Sequence, residues 1–192
     1  MTEMLPLNTV PLPVKLRIED YLLLDRSGAF DGYAKTELIE GQIFYMNAQH
    51  RPHARIKMKL YDAISAALRE ARSPLTAFVE ASISIPDHGV PEPDIVLTSE
   101  PDGEGLIPLP SVAMVMEIAD TTLGSDLGRK AALYATAGIP EYWVADVEAK
   151  VLHQLWAPED DAYAQARTVA FGERIEAMTV AGLVVDRKGI AS

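Results

Sequence analysis

With 192 residues, the chain is long enough for one domain with its own hydrophobic core and too short for two full-sized ones. Hydrophobic residues make up 48% of it, but no apolar run approaches the roughly 18 residues that would suggest a membrane span. The formal net charge of −11 opposes general attraction to nucleic-acid phosphate, and the absence of cysteine excludes disulfides, thiolate metal sites and cysteine nucleophiles.

The first residues, MTEMLPLNTVPLPVKL, lack the basic region, apolar core and cleavage site of a secretory signal, so a cytoplasmic protein with no membrane association is expected. Residues 1–16, with Pro6, Pro11 and Pro13, read as an extended arm before a single domain over residues 17–192. A short helix is predicted over residues 18–25. Residues 36–46, TELIEGQIFYM, alternate polar and apolar positions and read as a strand or hairpin, with Gly41 as its kink or turn. Ile56, Leu60, Ile64, Ala67 and Leu68 recur at helical spacing and predict an amphipathic helix over residues 53–72, ended by Ser73-Pro74. Strands follow over residues 78–85 and 93–97, with a turn at residues 86–89 between them.

Residues 112–118, VAMVMEI, are apolar except for Glu117, the pattern of a central strand covered on both faces. A second helix is predicted over residues 125–137, with Ser125 or Asp126 as its cap and Gly138 and Pro140 closing it. Two further strands are expected over residues 141–145 and 151–156, and only weak strand signals after about Thr168. The expected fold class is α/β, a mixed α+β sheet flanked by helices.

An ionised Glu117 inside a buried strand costs several kcal/mol unless a metal or cation compensates it. Asp94 belongs to another strand, and adjacent strands about 4.8 Å apart let two carboxylates share one divalent ion. Lys130 lies on the following helix, where a right-handed return would bring its ammonium beside the pair, to orient water or stabilise phosphate charge. A buried ion-pair network without chemistry is the competing account of the same three residues.

The stretches PEPDIVL, at residues 91–97, and MEIADTTLGSDLGRKAALYATAGIPEYWVAD, at residues 116–146, resemble the mostly bacterial Uma-type family of candidate endonucleases. That family belongs to the PD-(D/E)XK, restriction-endonuclease-like superfamily. The opening segment TELIEGQIFYM and the helix start at His53 resemble it too, so the likeness runs from about Glu19 to Trp156.

What the resemblance implies is a metal-dependent endonuclease acting on DNA, with Mg²⁺ or Mn²⁺ held by Asp94, Glu117 and the backbone carbonyl of Ile118. It implies a catalytic set of Asp94, Glu117, Lys130 and Glu37, with Glu40 and Glu80 as competitors for the place of Glu37. The usual superfamily lysine would stand at residue 119, which is Ala119, so Lys130 takes its part. An inactive nucleic-acid-binding domain of the same fold is the alternative, and a homodimer is a family-level expectation. The local basic surface that the charge demands falls at the first long helix, where Arg51, His53, Arg55 and Lys59 are the candidate nucleic-acid contacts.

Overall fold

The computed structural model describes residues 11–46, 49–87 and 89–185. Of the expected N-terminal arm, residues 1–10 lie outside the described residues. Residues 11–16 carry no regular structure and end against the first hairpin, where the Leu16 N–H donates to the Gly41 carbonyl at 2.9 Å. Helix α1 (Ile18–Arg26) follows. Strands β1 (Lys35–Ile39) and β2 (Gln42–Met46) then form a hairpin in which Ile39 pairs with Gln42 across a two-residue turn. Both turn residues, Glu40 and Gly41, have positive φ, the backbone that the twist of a tight hairpin requires.

Helix α2 (Arg51–Glu70) begins two residues earlier than the apolar periodicity indicates, because Pro52 stands in its first turn, where a missing N–H is tolerated. The region read as one strand over residues 78–85 is two, β3 (Thr76–Val79) and β4 (Ile83–Ser84), interrupted where Glu80 takes a positive φ of 53°. Strand β5 (Ile95–Thr98) starts just after Asp94, β6 (Ile107–Pro108) pairs with β4, and β7 (Val112–Ala119) is the central strand. The second long helix is composite. A turn of α3 (Leu123–Ser125) passes through a π-turn at Asp126–Lys130 into α4 (Ala131–Thr136). Strands β8 (Glu141–Asp146), β9 (Val151–Glu159) and β10 (Ala162–Ala170) follow, then the short pair β11 (Ile175–Glu176) and β12 (Val184–Val185).

Six strands form one mixed sheet in the order β10-β9-β8-β7-β5-β3, with β7 and β8 parallel and the other neighbours antiparallel. Alternation along each strand divides the core in two. Ile95, Leu97, Met114, Met116, Ile118, Trp143 and Ala145 pack under Ile56, Leu60, Ile64 and Leu68 of α2. On the opposite face Val96, Val115, Ala119, Tyr142 and Val144 pack with Ala131 and Tyr134 of α4. Glu117 lies between Met116 and Ile118, so the same alternation sends its side chain to the α4 face. A third, smaller cluster of Tyr21, Leu38 and Val90 seats α1 and the hairpin. No described helix is long and apolar enough to cross a membrane.

Candidate active site

Asp94 is 4% exposed and is fixed at the lip of β5 by the neighbouring strand. The Ile118 N–H donates to its Oδ2 at 2.8 Å, just beyond the last β5–β7 ladder pair, Ile95 with Met116. Nε2 of His53 lies 3.1 Å from the same oxygen, while Lys57 Nζ and Gln49 Nε2 each stand 3.3 Å from Oδ1. Burial pushes the Asp94 carboxyl up, but the His53 bond, the Ile118 N–H and the Lys57 charge outweigh it and hold the group at about 2.

Glu117 accepts two hydrogen bonds on Oε1, from Lys130 Nζ at 2.9 Å and from the Tyr134 hydroxyl at 2.9 Å. Lys130 and Tyr134 are four residues apart on the composite helix, so one face of it serves the carboxylate. Glu37 reaches the other side of the ammonium from β1. Its Oε1 accepts the Glu92 N–H at 2.8 Å, and both of its oxygens lie 3.3 Å from Lys130 Nζ. Oε2 of Glu37 is buried and lacks a hydrogen bond of good geometry.

Lys130 is thus clasped by Glu117 and Glu37. Burial opposes its charge, yet those two carboxylates raise it above the usual lysine range, so the ammonium is retained. The excess negative charge falls on Glu117. Deep burial pushes its carboxyl up to about 8, and Asp94, Glu37 and Asp126 push the same way against Lys130. The residues bring together one firmly ionised carboxylate and one that keeps its proton near neutrality.

Asp94, Glu117 and Ile118 line one cavity of about 920 Å³, with Asp120, Asp126 and His53. Lys130, 3% exposed, and Glu37, fully buried, stand behind that wall. Among the described residues no group of three or more His, Asp or Glu side chains is already arranged around a metal position. The donor set nevertheless fits a hard divalent cation: carboxylates of opposite protonation preference face one cavity, and the Glu37 oxygen behind them lacks a hydrogen bond. A dication at Asp94 and Glu117 would offset the burial and the acidic neighbours that now hold the Glu117 proton.

The remaining expected residues separate. Glu40 is an exposed turn residue away from the cavity. Glu80 stands at the cavity rim, where its Oε1 accepts from Lys57 at 2.6 Å and from Gln49 at 3.0 Å. Arg51 and Arg55 are exposed on α2 and Lys59 half-buried. His53, grouped with that basic row in the sequence, is 8% exposed and turned from the row onto Asp94. Asp126, expected to cap a helix, is instead buried within the π-turn, where the Thr122 hydroxyl donates to it at 2.6 Å and burial pushes its carboxyl up. Sequence reasoning missed Lys57 and Tyr134 as members of the site. The signal was present: each stands four residues after a recognised position, His53 and Lys130, on the same helical face.

Among proteins with known structures, the fold resembles a crystal structure described as a "putative nuclease belonging to DUF820" from Anabaena variabilis. The TM-score is 0.64 at 17% identity, over 91% of this chain and 97% of that one. No curated protein matches the sequence. The family described as "Putative restriction endonuclease", Uma2, matches residues 18–188.

Proposed function

Since the chain belongs to the Uma2 family, matched over nearly its whole length, we propose that it is an endonuclease that hydrolyses DNA phosphodiester bonds with Mg²⁺ or Mn²⁺ held by Asp94 and Glu117. One observation carries the reading. Two buried carboxylates, Asp94 at the lip of β5 and Glu117 in the adjacent strand β7, face a single cavity, and Glu117 is held protonated near neutrality by burial and by its acidic neighbours. The Ile118 carbonyl would complete the ligand set from the strand that also supplies Glu117. A bound divalent ion would supply Lewis-acid polarisation of the phosphate and a water of lowered pKa.

The chain's own residues do the rest. The Ile118 N–H and His53 hold Asp94 in one orientation, and its low pKa keeps it ionised across the physiological range. Lys130 and Tyr134 hold Glu117 by the same oxygen, which leaves the second oxygen to turn toward the cavity. Being buried behind the wall, Lys130 is a positioning residue that acts through Glu117 and through its field on the phosphate. Glu37 in turn fixes Lys130. Arg51, Arg55 and Lys59 would meet backbone phosphates outside the acidic cavity.

The test pairs thermal melts with cleavage assays on supercoiled, linear and single-stranded DNA, for wild type and Asp94→Ala, in EDTA, Mg²⁺ and Mn²⁺. A metal-dependent rise in Tm and metal-dependent cleavage, both lost in Asp94→Ala, are expected. Absence of cleavage of every DNA form, with no metal shift even when DNA is present, would overturn the proposal.

A further inference from the structure

A second cavity, of about 530 Å³, opens on α2. Its rim is cationic. Arg51, Arg55 and Lys59 come from successive turns of α2, and Lys150 comes from the turn between β8 and β9. Its floor is apolar, built from Ile56, Val147 and Phe171. Among the described residues no carboxylate lines it, although the chain carries a net charge of −11. Arg51, Arg55 and Lys150 form no salt bridge with any described residue.

The contrast with the catalytic cavity is sharp, since eight of the described carboxylates line that one. A polyanionic strand is repelled there until a metal is bound, so it needs an anchor elsewhere. The second cavity falls within the size range of sites for nucleotide-sized ligands. Its rim offers two guanidinium forks and a lysine to a phosphate, and Phe171 offers an aromatic face to a base. Consecutive residues at the start of α2 serve the two cavities, His50 lining the first and Arg51 the second.

We infer that this cavity is a nucleotide subsite that takes one phosphate among Arg51, Arg55 and Lys150 and the attached base on Phe171. It anchors a strand whose neighbouring phosphates reach Asp94 and Glu117. The strand's destination rests on the nuclease reading; the binding does not. A free nucleotide offers the same chemistry, and the experiment separates the two sources.

Binding of a fluorescent single-stranded oligonucleotide of about 12 nucleotides is followed by anisotropy in EDTA over a range of salt. Wild type, Arg51→Gln/Arg55→Gln/Lys150→Gln, the Arg51→Gln and Lys150→Gln single variants, and Phe171→Ala are compared. The triple variant should weaken binding at least about tenfold at low salt and lower the slope of log Kd against log salt by about 2, each single variant by about 0.7. Phe171→Ala should weaken binding about fivefold or more with the slope unchanged. These cations are exposed or at a rim, so melts should match wild type; if the triple variant is unfolded, the single variants decide. Wild-type affinity and slope in the charge variants would overturn the subsite, as would a wild type that does not bind in EDTA. Displacement of the oligonucleotide by an equimolar mononucleotide would assign the cavity to a free nucleotide and overturn the strand anchor. Loss of binding in the charge variants alongside an inactive wild type would sink the nuclease reading and leave the subsite standing, and the converse holds.

Discussion

Glu117→Gln tests the electrostatics of the site without reference to catalysis. The Glu117 carboxyl stands at about 8 in the folded protein, against an ordinary value of 4.5, because burial and three neighbouring acids disfavour its charge. A carboxyl raised on folding contributes stability that is fully present below pH 4.5 and is lost as pH rises through about 8. At 1.36 kcal/mol per pH step, that interval amounts to roughly 5 kcal/mol lost by pH 8.5, and roughly 2 kcal/mol by pH 6. Glutamine resembles the protonated acid in shape and never ionises. In EDTA, urea denaturation at pH 5, 6, 7 and 8.5 should therefore show the two proteins close in stability at pH 5. Glu117→Gln should then draw ahead of wild type as pH rises, by several kcal/mol at pH 8.5. The difference between the two curves isolates this residue from Asp126, whose carboxyl also rises on folding. A stability difference that stays flat from pH 5 to 8.5 would refute the charge imbalance from which the metal site is argued. Saturating Mg²⁺ at pH 8.5 should narrow the gap by stabilising wild type alone.

Tyr134→Phe removes a 2.9 Å donor to Glu117 inside the core, and should cost about 1.5 to 3 kcal/mol in urea denaturation above pH 8 while shifting the wild-type pH profile upward. Glu37→Ala should abolish or greatly reduce cleavage and cost about 1 to 3 kcal/mol, since it strands the Glu92 N–H and half of the Lys130 clasp. Glu40→Ala, three residues away in an exposed turn, should change stability by less than about 0.5 kcal/mol and leave cleavage intact. Gly41→Ala should lower stability by more than about 1 kcal/mol in the same assay, because its φ is +79° and the new methyl would stand 2.6 Å from Lys15 Cβ.

The parts of the fold legible in the sequence were those with a one-dimensional signature. The α2 stripe, the apolar β7 interrupted by Glu117, and the Gly138 stop each follow from local patterning, strand spacing suggested the pairing of Asp94 with Glu117, and the resemblance of residues 91–97 and 116–146 implied the same pair as metal ligands. What was missed depends on neighbours. Strand β10 is exposed at most of its positions as a sheet edge, so no apolar alternation marks it. The break at Glu80 is a backbone conformation, invisible in a run that alternates well. Asp126 looks like a cap by composition, and only the π-turn that buries it shows otherwise. His53 and Lys57 sit among basic residues along the chain, yet the packing of α2 on β5 turns both inward to Asp94 and away from Arg51 and Arg55.

Glu37 and Lys130 stand 93 positions apart, and Glu37 comes from a hairpin outside the six-stranded sheet. Closing a loop of that length costs about 4 kcal/mol of chain entropy, far more than one long ion pair returns. The contact is held because Leu38 and Val90 exchange backbone hydrogen bonds of 3.2 and 2.8 Å and seat the hairpin. The charge arrangement is complete only with the hairpin docked, so an opening that released the hairpin would leave Lys130 with one carboxylate in place of two.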